Sequence, residues 1–243
     1  MNRRSIANSD ATLFSECWIQ DLKWAVESVP VELGRLPPSW VEVGTGASIH
    51  PSVVFVPHED KKVIIGKRTR IASGTAIYGG VEIGNDTIIG HNTVIRQNTS
   101  VGVHSVVAHL CVLEGNITIG EHTLIHSNNH LGQKTSVGSY VFLAPMCVAT
   151  NDPKMIYYRK GYSQTGEHWK LLGGPTIEDG ARIAVGVIFF PKIHVGKHAM
   201  IGAGAVVTKD VPDYAMVYGV PASVRGKVEP RTDVIVKCPR DHT

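Results

Sequence analysis

The sequence predicts an all-β chain wound into a parallel β-solenoid, preceded by a short helix and interrupted by one long loop. Two observations carry this prediction. From Ile65 to Leu143 an aliphatic residue stands at every sixth position, and two positions before each one stands a second residue that is usually small or slim. A six-residue period fits neither a lone amphipathic helix nor a strand alternation. It is the spacing of a solenoid in which three runs of six residues close one coil.

Two ladders of inward-facing residues follow from this period. The first is aliphatic and consists of Ile65, Ile71, Ile77, Ile83, Ile89, Ile95, Val101, Val107, Leu113, Ile119, Ile125, Leu131, Val137 and Leu143. The second consists of Thr69, Thr75, Val81, Thr87, Thr93, Thr99, Ser105, Cys111, Ile117, Thr123, Asn129, Thr135, Val141 and Cys147. We expect both ladders to be buried inside the prism.

Glycine often follows the aliphatic residue, as at Gly66, Gly84, Gly90, Gly102, Gly120, Gly132 and Gly138. Glycine accepts backbone angles that are closed to other residues. We therefore expect these positions to be corners that need such angles.

The repeat begins at Val43, pauses at a four-residue insertion around residues 58–61, and breaks after Ala149. It returns at Ile177 and continues to Val207. This gives a solenoid of about eight coils over residues 41–227, with a loop excursion over 150–176.

The flanking segments lack the six-residue period. Residues 11–29 carry a helical apolar face, so residues 1–40 are predicted to form a helical cap over the first coil. Residues 228–243 are rich in proline and charge and are predicted to form a C-terminal tail.

Composition limits the classes of function. The net charge of +3 is too small to indicate nucleic-acid binding. No apolar stretch is long enough to cross a bilayer, and no signal peptide is apparent. The four cysteines do not form a disulfide pattern, because Cys111 and Cys147 fall on inward positions. A cytoplasmic protein with free thiols is expected.

The excursion is the largest departure from the repeat and the first candidate for a binding site. Long excursions from a regular fold are often functional. This one offers Asn151, Asp152, Tyr157 and Arg159 as candidate substrate contacts. The alternative is that the loop seals a neighbouring subunit.

A polar cluster lies one coil before the excursion. Asn129 occupies an inward position, where a buried amide must either bridge coils or orient a neighbour. His126, Asn128 and His130 project outward, and an imidazole there is a candidate general base.

The sequence resembles the hexapeptide-repeat acyltransferases. The resemblance rests on the hexads and on the closing segment from Ile201 to Ala222, and it covers about residues 43–227. It implies a left-handed parallel β-helix, a homotrimer with active sites between the prisms, and an acyl-CoA, most simply acetyl-CoA, lying along the C-terminal coils. Gly186 and Ala203 would lie beside the pantetheine arm, and Lys209 and Arg225 near the phosphates or the adenine end.

The acceptor is indicated by the start of the excursion. Thr150-Asn151 at this place, preceded by the segment Ile125–Asn129, resembles the N-acyltransferases that act on nucleotide-linked amino sugars. Asp152 stands where the sugar and xenobiotic O-acetyltransferases have a histidine. Pro153 comes earlier, and Arg159 later, than the N-acyltransferase pattern places them.

The chemistry of acyl transfer also favours an amine acceptor. A hydroxyl needs a strong, well-placed base, whereas a neutral amine is already nucleophilic. Asp152 is a candidate to hold the ammonium and accept a proton, with His126 or His130 as the alternative base. Backbone amides between Ile177 and Val187 are candidates to stabilise the oxyanion.

Three alternatives remain open. One is an O-acetyltransferase acting on a sugar or small metabolite. Another is a gamma-class carbonic anhydrase-like zinc protein, because histidines recur on successive coils at His91, His104, His109, His122, His126 and His130. The third is a non-catalytic trimeric scaffold. For the acyltransferase no metal is expected, and the sequence leaves open the acyl group and whether CoA or an acyl carrier protein delivers it.

Overall fold

The structure is a computed structural model, and it describes residues 38–155 and 170–228. Within these ranges 26 strands form three sheets, in which every strand pair is parallel except that of the last two strands. The predicted helix in residues 11–29, the candidate contacts Tyr157 and Arg159, and the tail after Val228 lie outside the described residues.

Successive strands go in turn to the first, second and third sheet, and three strands make one coil. The first sheet contains β1 Val41–Val43, β4 Val63–Ile65, β7 Glu82–Ile83, β10 Ser100–Val101, β13 Thr118–Ile119, β16 Ser136–Val137, β19 Thr176–Ile177 and β22 His194–Val195. The second contains β2 Ser48–Ile49, β5 Arg70–Ile71, β8 Ile88–Ile89, β11 Val106–Val107, β14 Leu124–Ile125, β17 Phe142–Leu143, β20 Arg182–Ile183, β23 Met200–Ile201, β25 Ala215–Tyr218 and β26 Ser223–Lys227. The third contains β3 Val54–Val56, β6 Ala76–Tyr78, β9 Val94–Ile95, β12 Val112–Leu113, β15 His130–Leu131, β18 Val148–Ala149, β21 Ile188–Phe189 and β24 Val206–Val207.

We call the turns after the first, second and third sheets the first, second and third corners. In the regular part each residue pairs with the residue 18 positions on, as Val107 does with Ile125. The three sheets hold eight complete coils, and β25 with the bridge from Val195 to Val211 begins a ninth. The predicted parallel solenoid, left-handed as the family resemblance implied, is confirmed.

The two inward ladders form the core. Every residue of the aliphatic ladder is at most 3% exposed, and every residue of the second ladder is at most 2% exposed. Most polar members of the second ladder bond to the next coil. Thr75 Oγ1, for example, donates to the carbonyl of Gly90 at 2.9 Å. Thr135 Oγ1 instead donates to the carbonyl of Gly132 in its own coil at 2.6 Å, and Thr99 Oγ1 has no partner among the described residues. Hydroxyls are tolerated in this core because each coil presents carbonyl acceptors to the one before it.

The side chain of Asn129 joins its own coil to the next coil. Its Nδ2 donates to the carbonyls of His126 at 2.6 Å and Ala144 at 3.0 Å, and its Oδ1 accepts the Cys147 backbone N–H at 2.9 Å. The amide is thus bonded within its own coil and to the next coil. Of the two roles expected for it, bridging coils is the observed one.

The reason for the glycines differs from the expectation. Gly66, Gly84 and their equivalents do not have positive φ angles. A Cβ on Gly66 would lie 2.5 Å from the backbone nitrogen of Asn85, so contact with the next coil excludes a side chain. The left-handed conformation occurs two residues later, at positions such as Asp86, Asn92 and His104. Asn, Asp and His tolerate that conformation better than most residues do.

The ends and the interruption of the prism lie where the period predicted them. Trp40 packs edge-on against Phe55 in the first coil, with ring centroids 6.3 Å apart. At the other end β26 pairs with β25 in antiparallel fashion. Strands stop at Ala149 and resume at Thr176. No helix within the described ranges has the length and apolar character needed to span a bilayer.

Replacement of Asn129 tests its bridging role. Asn129→Val removes the side-chain hydrogen bonds to three backbone groups in the core and leaves the two carbonyls with only weak thiol donors, so we expect the free energy of unfolding to fall by about 1–3 kcal/mol. Asn129→Thr should cost less than about 1 kcal/mol, because threonine in this ladder both donates to and accepts from the next coil, as Thr123 does. Urea unfolding of the two variants measures the difference, and equal losses would contradict the assignment.

Candidate functional site

The excursion leaves and rejoins the prism at the third corner. We call its described ends, residues 150–155 and 170–175, the loop root. Gly173 donates its backbone N–H to the carbonyl of Asn151 at 2.9 Å, and Gly174 donates to the carbonyl of Gln133 at 3.0 Å. The returning chain therefore continues the backbone ladder between coils. A Cβ on Gly174 would collide with Thr135 Oγ1, so only glycine fits at this return point.

His130 and Glu114 form a pair on the third sheet beside the loop root. His130 Nε2 lies 3.0 Å from Glu114 Oε1, and the two side chains are 45% and 30% exposed. A carboxylate accepts hydrogen bonds but does not donate them, so Nε2 of His130 carries the proton. In the neutral ring the Nδ1 lone pair is then available as a base.

Two amide side chains stand at the second position of this corner in successive coils. Gln133 is 9% exposed, and its Oε1 has no hydrogen-bond donor among the described residues. Asn151 lies next to Gly132, where a glycine Cβ would meet the Asn151 Cβ and Cγ atoms at 3.1 Å. The absence of a side chain at Gly132 therefore allows Asn151 to pack against the coil that carries His130 and Gln133.

His126 and Asn128 lie at the second corner, across the third sheet from the loop root. Ser127 donates its backbone N–H to His126 Nδ1 at 2.9 Å, so the neutral ring carries its proton on Nε2 and offers a donor. Burial lowers the pKa of His126. Burial is also the main cause that lowers the pKa of His109, and the nearby His91 and His126 lower that pKa further. These rings therefore favour the neutral form.

Asp152 binds its own loop. Its Oδ1 accepts the backbone N–H groups of Lys154 at 2.8 Å and Met155 at 3.0 Å. This bonding shapes the first turn of the excursion. The role of Asp152 as an ammonium contact or proton acceptor stays a prediction.

The second corner is open in the C-terminal coils. In successive coils its left-handed position is occupied by Asn128, Met146, Gly186 and Gly204. A Cβ on Gly186 or Gly204 would meet no atom within 4 Å. Together with the exposed residues Val185, Ala203 and Met146, they form what we call the second-corner groove.

The four residues expected to bind the donor are divided between two corners. Gly186 and Ala203 lie in the second-corner groove, and Arg225 lies near its end, since a Cβ on Gly219 would be 3.9 Å from the Arg225 guanidinium. The Arg225 guanidinium also stacks 5.5 Å from the centroid of the Tyr218 ring. Lys209 is exposed at the third corner, on the opposite edge of the sheet.

The histidines that suggested zinc do not converge in one chain. His91, His109 and His126 lie at the second corner, whereas His104 and His122 stack at the first corner with ring centroids 5.0 Å apart. His130 lies on the third sheet. Within residues 38–155 and 170–228, no three His, Cys, Asp or Glu side chains are grouped as a metal site.

The buried cysteines are poor nucleophiles. Cys111 and Cys147 are free thiols in the second inward ladder. Burial raises the pKa of Cys111 to about 11 and also raises the pKa of Cys147. A thiol with such a pKa is almost wholly protonated near neutral pH, so neither residue is a candidate for covalent catalysis.

Sequence reasoning missed Glu114 and Gln133. Glu114 precedes His130 by 16 residues, and in an 18-residue coil that separation makes outward side chains diagonal neighbours. The same separation joins Glu178 and His194, whose Nε2 and Oε1 atoms lie 3.8 Å apart. A search for His and Glu at this spacing would have found Glu114. No comparable signal identifies Gln133, because its burial is not part of the repeat.

Comparison with known proteins supports the fold. Residues 62–97 match the family of bacterial transferase hexapeptide repeats. A solved UDP-N-acetylglucosamine acyltransferase from Bacteroides fragilis is 18% identical, with a TM-score of 0.53 over 79% of this chain and 74% of that one. At this identity the likeness extends to the fold alone.

Two relatives match over shorter stretches. A dTDP-3-amino-3,6-dideoxy-alpha-D-galactopyranose 3-N-acetyltransferase from Aneurinibacillus thermoaerophilus is 42% identical over 57 residues, 24% of this chain and 30% of the relative. A galactoside O-acetyltransferase from Lactococcus lactis is 42% identical over 52 residues, 21% of this chain and 25% of the relative. The matches thus span less than a third of either relative. The six-residue repeat and the three-sided left-handed prism of this chain are thus similar to those of the hexapeptide-repeat proteins, and the family match itself is confined to residues 62–97.

Proposed function

We propose that the protein is an acyl-CoA-dependent N-acyltransferase that transfers an acetyl group to the amine of a small acceptor, a nucleotide-linked amino sugar. The observation that carries this proposal is the His130–Glu114 pair beside the loop root. It supplies a base, whose Nδ1 has no partner among the described residues, at the place where the excursion leaves and rejoins the prism. The names of the relatives support acetyl transfer, and one of them acts on an amino sugar.

The reaction balances with these residues. The amine lone pair attacks the thioester carbonyl and forms the C–N bond, while Nδ1 of His130 accepts one proton from the nitrogen. Collapse of the tetrahedral intermediate breaks the C–S bond, and the proton passes to the departing thiolate. The products are an amide and a free thiol. Glu114 holds the ring orientation and stabilises the imidazolium that forms transiently.

The donor is placed in the second-corner groove. Gly186 and Gly204 leave space there for a narrow pantetheine arm, because a Cβ on either residue would meet no atom within 4 Å. Arg225 near the end of the groove offers a guanidinium for a phosphate. A cation at this end favours CoA, because CoA carries more phosphate charge than the single phosphodiester of a carrier-protein arm.

A second copy of the chain is needed to join these two regions. Gly186 and Pro191 are five residues apart on one coil, so the second and third corners are separated by about 16 Å. Reacting atoms must approach to about 3–3.5 Å. Packing the second corner of one copy against the third corner of another brings a groove to a loop root, and three such contacts close a trimer.

The alternatives are less well supported by the geometry. An O-acetyltransferase remains the second candidate, since one relative is a galactoside O-acetyltransferase and His130 with a free Nδ1 also suits a hydroxyl. A zinc enzyme would need ligands from histidines that lie apart in this chain, at the first corner, at the second corner and on the third sheet. A scaffold without catalysis would account for the repeats but not for the long excursion.

Release of CoA from acetyl-CoA tests the proposal directly. The purified protein is incubated with nucleotide-linked amino sugars and, as controls, with the same nucleotide sugars carrying a hydroxyl in place of the amine. We expect turnover with at least one amino sugar and much less with its hydroxyl analogue. Preferential turnover of hydroxyl sugars would favour the O-acetyltransferase, and no turnover with any of them would contradict both.

Replacement of His130 separates its catalytic role from a role in packing. His130→Gln should lower kcat with the amino sugar by about 10²–10⁴-fold, as expected for loss of a general base, with little change in KM. His194→Gln is a matched control, because His194 lies near Glu178 on the first sheet. It should leave kcat within about twofold. Equal effects of the two substitutions would remove His130 from the mechanism.

Filling the second-corner groove should weaken donor binding. Gly186→Asn introduces a side chain that tolerates the left-handed backbone, as Asn92 and Asn128 do in the same column. We expect KM for acetyl-CoA to rise by about tenfold or more, with thermal stability retained. Leu110→Asn changes the same corner position in an earlier coil and should not alter KM. An unchanged KM in Gly186→Asn would place the donor elsewhere.

A further inference from the structure

The side chain of Gln133 is a buried hydrogen-bond acceptor without a donor. Its Oε1 has no partner among the described residues, although the residue is only 9% exposed. A buried polar atom in this condition is costly, and native proteins contain few of them. Thr99 Oγ1 and His122 Nδ1 are the other buried side-chain atoms without a partner among the described residues. Of the three residues only Gln133 bonds to the loop root, so its missing donor points to a group that binds there.

The surroundings of Gln133 belong to the proposed acceptor site. The residue is three positions after His130 on the same coil, so the two Cα atoms are at most about 10 Å apart. Its backbone carbonyl accepts from Gly174 in the loop root. Asn151 stands at the same corner position in the next coil, and no described residue hydrogen-bonds to its side chain. Unpaired amide groups are therefore concentrated beside the His130–Glu114 pair.

We propose that Gln133 selects an amine over a hydroxyl by accepting the N–H that the base does not take. This inference rests on the proposed N-acyltransferase function. A neutral primary amine has two N–H groups and one lone pair. When the lone pair attacks the thioester, one hydrogen goes to His130 Nδ1, and the other remains to bond Gln133 Oε1.

A hydroxyl acceptor does not satisfy both groups. It has one hydrogen, which must pass to the base during attack, so Gln133 Oε1 stays buried and unpaired. A site built to bond a substrate N–H discriminates against an analogue that lacks it, because the buried protein group then has no partner. The expected discrimination from this single contact is about 10- to 100-fold in kcat/KM.

The geometry also explains why the hydrogen-bond acceptor at position 133 is an amide rather than a carboxylate. An uncharged carbonyl oxygen binds an N–H without adding a second negative charge beside Glu114. Two carboxylates this close would compete for protons and disturb the His130–Glu114 pair. Glutamine therefore supplies an acceptor while Glu114 remains the ionised partner of His130.

The test compares Gln133→Met with Gln97→Met. Methionine is close to glutamine in shape but has no strong acceptor. Gln97 occupies the same corner position two coils earlier. Its replacement therefore controls for the effect of exchanging glutamine for methionine at this position of a coil. We measure kcat/KM with acetyl-CoA for a nucleotide-linked amino sugar and for its hydroxyl analogue, and the midpoint of thermal unfolding without ligands.

The expected result is a specific loss of preference. Gln133→Met should lower kcat/KM for the amine by about 10- to 100-fold, leave the hydroxyl analogue unchanged or faster, and keep or raise the unfolding midpoint, since an unpaired buried group is removed. Gln97→Met should keep the wild-type preference. Binding of both sugars in the absence of acetyl-CoA, measured by calorimetry, provides a second readout if a variant has too little activity. In this measurement Gln133→Met should show the same loss of preference for the amine.

The outcomes separate this inference from the function on which it rests. If the wild-type protein acetylates no amine, the proposed function fails. If the wild-type protein prefers the amine and Gln133→Met keeps that preference, only the role of Gln133 fails. A Gln133→Met variant with a lower unfolding midpoint and equal losses on both sugars would assign Gln133 to stability and overturn the inference.

Discussion

Stacking of coils through backbone hydrogen bonds is the constraint on which this structure depends. Each coil must have the same outline as its neighbours, since residues 18 apart pair across the three sheets. Side chains inside the prism are therefore limited to one aliphatic and one slim position per run of six. The corner glycines follow from the same requirement, because a Cβ there would collide with the next coil. The period, the core and the glycines thus have one physical origin.

The functional groups lie where this constraint is relaxed. Outward positions, and corner positions other than the glycines, accept larger side chains, so they accommodate His130, Glu114 and Gln133. The excursion begins at a corner because the chain can leave there and rejoin the backbone ladder through Gly173 and Gly174. The prism then acts as a rigid support, and a rigid support is what an acyl transfer needs to hold its base and acceptor in place.

Hydrogen bonds to the two histidine rings assign them different chemistry. His126 and His130 are both outward, and each is a reasonable base from the sequence. The backbone N–H of Ser127 occupies the Nδ1 atom of His126, whereas the carboxylate of Glu114 occupies the Nε2 atom of His130. The first ring is left with a donor, and the second with a free lone pair. The second-corner groove and the loop root lie on opposite edges of the third sheet, so the proposed reaction requires more than one copy of the chain.

The sequence by itself determined the solenoid, both inward ladders, and the interruption between Ala149 and Thr176, because these depend on contacts that recur every six and eighteen residues. It also identified His130 and Asn151 as polar departures, and Gly186 as a position that lacks a side chain. The tertiary structure alone decided that Glu114 pairs with His130, that Asp152 binds its own turn, and that Gln133 is buried with no donor among the described residues. The physical reason is that a period assigns each residue to a column, whereas hydrogen-bond partners depend on side-chain conformations and on a returning loop that has no period.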